Sequence, residues 1–431
     1  MNKYQSFKSS NVEWIGDIPF HWEIKPLYSE SYLTKEKNPF EDLPILSLSY
    51  GKIKIRNIDS NIGLLPESFD SYQRIRKGNV VLRLTDLQND KTSLRVGYSE
   101  LEGLITPVYV SLGCKNSFNN RYLFYQLYDS DIKKVLYTLG GGLRQTLRFE
   151  ELKRYPLVVP PISEQLQIVQ FLDSKTELID KLISTKERKI TLLKEQRTSF
   201  INQIVTKGLN PKVKMKNTGI EWIGEIPEHW SLGKLNYLCK RIGDGLHSTP
   251  IYTDNSEYYF INGNTIKENK IVIFENTKTI EYEEYKKHFI ELDNNNTLLM
   301  SINGTIGSIG YYNDEKVILG KSVSYINVIP SSINLDYLFY LLGSSSIQNY
   351  FTFELTGTTI YNLSLNTIRK TPICLPDKTE QVQIVEFLDS KTKEIDDMVQ
   401  LEQKKIDLLK EYRQSLISEV VTGKIKVTTD E

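Results

Sequence analysis

The sequence predicts an α/β protein of mixed α+β type: two globular domains joined by two long antiparallel helices of coiled-coil character, the whole an internal repeat with pseudo-twofold form. Three observations carry this. A heptad-patterned stretch occurs twice, a Trp-rich opening segment occurs twice, and both intervening regions mix short β-rich runs with Gly and Asn turns.

The heptad-patterned stretches are residues 163–206 and 379–422, offset by 216 positions and sharing QIV-x-FLDSKT, LLKE and a terminal VT. Neither contains Pro or Gly, and apolar residues recur at alternating steps of three and four, so both are predicted helices. The seam of the first runs through Leu172, Ile179, Ile183, Lys186, Ile190 and Leu193, extended by Val169, Thr176, Arg197, Phe200 and Ile204. The second uses Leu388, Ile395, Val399, Glu402, Ile406 and Leu409, extended by Val385, Thr392, Arg413, Leu416 and Val420. Polar residues interrupt both seams in the same three slots. Antiparallel pairing sets Lys186 against Glu402, Thr176 against Arg413 and Arg197 against Thr392; parallel pairing would set Arg197 on Arg413, two like charges in a half-dry layer. Antiparallel pairing is therefore expected, and at about 1.5 Å per residue each helix is a rigid spacer of roughly 65 Å.

The opening segments read VEWIGDIPFHWEI at 12–24 and IEWIGEIPEHWSL at 220–232, turns built on Gly and Pro and clamped by Trp. His21 and His229 are expected to be structural. Residues 25–160 and 233–376 then diverge, with almost no matching residues. Strands are predicted at 44–48, 79–84 and 107–112 in the first region, with a helix at 118–138. In the second, strands are predicted at 258–262, 270–274, 297–302, 306–312 and 323–329, with a helix at 335–342. Each region closes on a strand ending in Pro, YPLVVP and TPICLP. The expected partition is a first domain at 1–160, a spacer helix at 161–209, a linker and second domain at 210–376, a second helix at 377–424 and a tail at 425–431.

With 431 residues and 39% hydrophobic content the chain can bury more than one core. Lys plus Arg equals Asp plus Glu at 54 each, so net charge gives no sign of a polyanionic partner; residues 25–160 carry +5 and residues 233–376 carry −2. Cys114, Cys239 and Cys374 are far apart and form no CxxC, against a zinc site or disulfide framework and in keeping with a reducing compartment. The N-terminal residues lack a signal-peptide core and no run of about 18 apolar residues occurs, so a cytoplasmic protein with no membrane association is expected. Alanine is missing while Asn, Ile, Lys and Tyr abound, the composition of an AT-rich genome.

Taken together, the duplicated WIG-x-IP-x-HW segment, the PLVVPPISEQ and PICLPDKTEQ exits into QIV-x-FLD, GDGLHSTPIY at 243–252 and SINGTIGSIGYY at 301–312 resemble, over essentially the full length, the specificity (S) subunit of type I restriction-modification systems. The first region carries no clear counterpart of GDGLHSTPIY or SINGTIG. The resemblance implies a non-catalytic subunit whose two target recognition domains each read one half of a bipartite, asymmetric site in double-stranded DNA. It also implies that the helices set the distance between the halves and dock DNA methyltransferase (modification) subunits, two in number, with restriction/translocase subunits as further partners. No cofactor is implied for this chain; S-adenosylmethionine, ATP and Mg belong to the partners.

Base reading calls for Arg, Lys, Asn, Gln, Ser and Thr on loops over a rigid scaffold. In the first domain the candidates are Lys52, Lys54, Arg56, Asn57, Arg74, Arg76, Arg83, Arg95, Arg144, Gln145 and Arg148. In the second they are Arg241, His247, Ser248, Thr249, Tyr252, Asn262, Asn264, Asn303, Thr305, Lys321, Thr358 and Thr359. Two other readings have a basis in the residues. Neutral net charge suits a coiled-coil scaffold that binds only protein. Pro376-Asp377 followed by Asp389-Ser390-Lys391 has the spacing of a metal-dependent nuclease, but the other copy, Asp173 to Lys175, follows Pro160-Pro161 without such an Asp. Gly320-Lys321-Ser322 imitates the end of a phosphate-binding loop, yet position 315 is Glu where the first glycine belongs. No motif for binding a methyl donor occurs, so catalysis is expected to reside in partners.

Overall fold

The computed structural model describes residues 3–37, 43–57, 68–87, 94–139, 146–355 and 361–427. The chain forms two compact units, Met1–Glu187 with Lys404–Glu431, and Arg188–Gln403. The long helices run Ile162–Lys207 and Lys378–Val421, and each contributes to both units.

In the first unit the opening segment is a hairpin, Phe7–Ser9 against Asp17–Pro19, reversed where Gly16 takes φ +72°, a region that only Gly enters without strain. Its Trp22 is buried, and the indole N–H donates to Glu164 Oε2 at 3.1 Å. Tyr4 donates to the same oxygen at 2.9 Å, and His21 Nε2 lies 2.7 Å from Glu164 Oε1. The second unit repeats this with Met215–Asn217 against Glu225–Pro227, Gly224 at φ +71°, and Trp230 and His229 at 2.9 and 3.0 Å from Glu380. The histidines thus help to hold the opening segment on the first turn of a long helix. The neighbouring Gln of each PISEQ or DKTEQ motif ties two backbone ends. Gln165 accepts from Asn119 N and donates to the Pro160 carbonyl, both at 2.9 Å, and Gln381 does the same for Asn334 N and the Pro376 carbonyl at 2.7 and 2.9 Å. The closing strands pair with the chain just after the opening segment, Pro156–Val159 with Glu23–Pro26 and Pro372–Leu375 with Ser231–Lys234.

The regions that diverge in sequence share one sheet. In the first unit its strands are β1 (Ser31–Leu33), β2 (Leu46–Ser49), β3 (Lys52–Ile55), β4 (Val80–Leu82), β5 (Val96–Tyr98) and β6 (Val110–Cys114), in the order β1-β6-β4-β5-β3-β2. In the second they are β7 (Cys239–Asp244), β8 (Ile266–Lys267), β9 (Lys270–Ile271), β10 (Thr297–Ser301), β11 (Ile309–Tyr311) and β12 (Val323–Val328), in the order β7-β12-β10-β11-β9-β8. The order is the same in chain sequence, and so is a parallel pair, β3 with β5 and β9 with β11. The two regions differ in the smaller sheet, which among the described residues has three strands in the first unit and four in the second.

The predicted strand at 107–112 starts late, at Val110, because Pro107 supplies no ladder N–H. That at 306–312 shortens to Ile309–Tyr311, since Gly304 and Gly307 take φ of +74° and +84°. The 118–138 helix breaks into Asn120–Ile132 and Val135–Thr138 where Lys134 turns left-handed at φ +60°.

The expectation of almost no matching residues in these regions is corrected by a third repeat, YLFY at 122–125 and 337–340. Buried Tyr122 donates to the Val421 carbonyl at 3.1 Å, and buried Tyr337 to the Cys374 carbonyl at 2.8 Å. Tyr125 and Tyr340 each donate at 2.6 Å to the Asp of their FLDSKT motif, Asp173 and Asp389. Each domain helix is thereby fastened to a long helix.

Within each unit the long helices run antiparallel. In the first, Arg413 Nε lies 3.2 Å from Asp180 and Nη1 donates to Tyr128 at 2.7 Å. In the second, Arg197 Nε lies 3.0 Å from Asp396. The seam pattern sets these arginines opposite Thr176 and Thr392; they reach one turn further, because a guanidinium in a half-dry layer requires a carboxylate. Glu402, buried, receives Lys189 Nζ at 3.0 Å. Leu172, Ile179, Leu193, Leu388, Ile395 and Ile406 are buried, while Ile183, Lys186, Ile190, Val399 and Leu409 are half-buried. No helix among the described residues is long and apolar enough to cross a membrane.

Candidate nucleic-acid interface

In the second unit four candidate-bearing segments converge beyond the ends of β7 and β10 and the start of β12. Leu246 N donates to the Leu319 carbonyl at 2.7 Å, Gly263 N to Ser322 Oγ at 2.9 Å, and Ile302 N to the Ser322 carbonyl at 2.9 Å. Leu363 N donates to the Ile302 carbonyl at 2.9 Å, joining a fifth segment. Glycine makes this closeness possible. A Cβ at Gly245 would collide with the Leu319 carbonyl, and one at Gly320 with Asn262 Oδ1.

The cluster presents polar side chains on a fixed frame. His247, Ser248, Thr249, Asn264, Thr305 and Lys321 are exposed, and His247 Nε2 lies 2.8 Å from Asp244 Oδ2. Asn262 and Asn303 are half-buried; Asn262 accepts from Ser322 Oγ at 3.0 Å, and Asn303 bridges to Asn362. Gly320-Lys321-Ser322 is therefore a packing element of this cluster. Tyr252 lies next to it on strand Tyr252–Thr253, with Lys278 over its ring at 5.8 Å. Arg241 stands apart on β7, over the Tyr325 ring at 5.3 Å. Thr358 and Thr359 lie outside the described residues.

The first-unit candidates do not gather in one place. Lys52 and Lys54 are exposed on β3, and half-buried Arg56 and exposed Asn57 follow it. Arg74 lies on a strand of the smaller sheet, Gln73–Ile75, and Arg76 just after it; Arg74 pairs with Glu102 and Arg76 with Glu36 at 3.0 Å. Arg83 is half-buried just after β4, and Arg148 is exposed at the start of a short helix, Phe149–Leu152. Arg144 and Gln145 lie outside the described residues.

Arg95 is a correction. Its side chain is 0% exposed and donates to the Thr85 carbonyl at 2.7 Å, the Asp86 carbonyl at 3.0 Å and Tyr137 Oη at 2.8 Å. It cannot reach a base or phosphate. It holds the loop after β4, replacing by one buried cation the close packing that small residues give in the second unit.

A groove of about 870 Å³ in the first unit runs past the Tyr50-Gly51 turn. Arg121 lies in it, 4.5 Å over the Tyr98 ring and 2.9 Å from Asp173. Two ion pairs cross it, Arg121–Asp173 and Arg413–Asp180, and Lys52 and Lys410 also line it.

The residues of the other readings have structural work. Asp377 Oδ1 accepts from Glu380 N at 2.9 Å as a helix cap, Asp389 is taken by Tyr340, and Lys391 pairs with Glu394 at 2.8 Å. Among the described residues no group of His, Cys, Asp or Glu is placed to hold a metal ion. Burial pushes the thiols of Cys114, Cys239 and Cys374 up to about 12, away from the thiolate that nucleophilic or metal-bound cysteine requires.

Sequence reasoning missed the loop-holding role of Arg95 and the YLFY anchors. The signal for the anchors lay in an offset of 215, one short of the helix offset.

Residues 109–192 and 227–411, together more than half of the chain, match the family model described as the type I restriction modification DNA specificity domain. The chain is 23% identical over 443 residues to a putative type I restriction enzyme MjaX specificity subunit of Methanocaldococcus jannaschii, covering 99% of this chain and 98% of that one. It is 26% identical over 339 residues to the type I restriction enzyme MjaVIII specificity subunit of the same organism, covering 76% and 75%. Among solved structures it is similar to a chain from a study of complex assembly and conformational transition in the type I R-M system, with TM-score 0.70, 15% identity and coverage of 95% and 99%. It is also similar to the HsdS subunit from Thermoanaerobacter tengcongensis, with TM-score 0.51, 14% identity and coverage of 95% and 98%.

Proposed function

Given that the chain belongs to the type I restriction-modification DNA specificity family, we propose that it is the subunit that reads a bipartite, asymmetric site in double-stranded DNA. One unit takes each half-site, and the chain carries no catalytic step of its own. The observation that carries this is the same six-stranded sheet built twice with different loops at its ends. A constant scaffold with variable loops is how one frame reads two sequences. The two long helices hold the gap between the half-sites constant and dock the modification subunits, whose methyltransferase acts on the site that this chain selects. The neutral net charge predicts weak binding by the chain alone and salt-sensitive binding in the complex.

The test is methylation mapping of host DNA by single-molecule sequencing, with and without this gene. A two-part motif that vanishes with the gene supports the reading and supplies both half-sites. A methylome that does not change in a host whose modification subunits are expressed and assembled refutes it and favours a protein-binding scaffold.

A further inference from the structure

Resting on that reading, we propose that the first unit recognises its half-site through a loop cluster carrying Lys35, Thr85, Val108 and Arg148, and that Lys52, Lys54, Arg74 and Arg76 carry no base information.

Strand register relates positions in one unit to positions in the other. Tyr98 is paired with Val80 in the first unit and Tyr311 with Leu298 in the second, which aligns β4 with β10. Residues 83–86 then correspond to 301–304. Two independent features agree. Asp86 and Gly304 fall together, and both are left-handed, at φ +60° and +74°. Leu84 and Ile302 fall together, and their carbonyls accept from Leu147 N and Leu363 N, each at 2.9 Å. Leu112 opposite Leu33 matches Ile326 opposite Ile242, so Thr34 and Lys35 stand where Gly243 and Asp244 stand in GDGLHST. Counting back from β6 and β12 by the same register sets Thr106, Pro107 and Val108 on Gly320, Lys321 and Ser322.

The absent counterparts of GDGLHSTPIY and SINGTIG are therefore present in place, though not in sequence. These loops surround one cleft of about 280 Å³, lined among others by Thr34, Lys35, Thr85, Val108 and Arg148. Lys35 and Arg148 are exposed at its rim, and Val108 is 55% exposed, an apolar side chain suited to the methyl group of thymine. By the same register Lys52 and Lys54 lie on β3, whose counterpart β9 carries none of the second-unit cluster. Arg74 and Arg76 are already held by Glu102 and Glu36.

The experiment co-expresses the full chain with its modification subunits in cells carrying a plasmid library randomised at one half-site, and reads methylation by sequencing. In the Lys35→Ala/Arg148→Ala variant, discrimination at one or more positions of the first half-site should fall by about ten- to a hundredfold while the second half-site motif is retained. Retention of the second motif shows that the complex still folds and assembles. Val108→Ala should relax a first-half-site position in the same way. Lys52→Ala/Lys54→Ala should at most lower methylation uniformly, leaving the motif as it was. The proposal is overturned if the Lys52/Lys54 variant alters the first motif while the Lys35/Arg148 and Val108 variants do not. If the wild-type complex yields no two-part motif at all, the functional reading itself fails, and the proposal with it.

Discussion

Arg95→Met is the sharpest test of how the first unit holds the loop after β4. Methionine keeps the apolar stem and removes the guanidinium, so the carbonyls of Thr85 and Asp86 and the Tyr137 hydroxyl lose a partner at 2.7, 3.0 and 2.8 Å. Asp131, whose carboxylate accepts from Arg95 N at 2.5 Å, also loses a neighbouring positive charge. Leaving each buried acceptor unmet costs about 1–3 kcal/mol, partly offset because a desolvated cation is also removed. A net loss of about 3–5 kcal/mol follows, the range for breaking a buried charged network at one end. Hydrogen exchange on the full chain resolves the effect by region. Peptides covering β4, β5 and the helix Asn120–Ile132 should lose protection by about two to four powers of ten, while peptides from Arg188–Gln403 hold theirs. If protection there changes by less than tenfold, the account of Arg95 as a buried organiser is wrong.

Tyr125→Phe and Tyr340→Phe remove equivalent bonds to Asp173 and Asp389, so each should cost about 1–2 kcal/mol, with matching losses in the exchange of its own unit. Strongly unequal costs would refute the equivalence of the two anchors. Gly245→Ala forces a Cβ into the Leu319 carbonyl and should abolish reading of the second half-site while the first motif is still recognised by the assembled complex. A normal second motif would show that the loop cluster tolerates displacement. Burial raises the Asp131 carboxyl above its ordinary 3.8, so the folded chain holds that proton more tightly than the unfolded chain does. Its favourable contribution is complete below the ordinary value and is lost as pH rises through the raised one. Asp131→Asn should therefore make first-unit stability less dependent on pH across that interval, as read from urea midpoints at acid and neutral pH. An equal or steeper dependence would count against it.

Much of the architecture was legible in the residues because it rests on local periodicity. Apolar steps of three and four, the absence of Pro and Gly, and the repeated FLDSKT determine both long helices whatever they pack against. The matched polar slots likewise required antiparallel pairing, since two arginines will not share a seam. Partner choice within the seam was less legible, because a long guanidinium reaches a turn beyond its opposite number, to Asp180 and Asp396. Sites depend on what the chain brings together. Arg95 and Arg148 are the same residue type in a basic region, yet converging carbonyls make one a buried organiser while the other stays exposed. The second-unit cluster was visible beforehand because its tight loops demand Gly, and Gly leaves a mark in sequence. The first-unit loops reach the same position with a left-handed Asp86 and a buried arginine, a solution that many sequences satisfy. Strand register alone, a property of the assembled sheet, shows that they are the same place.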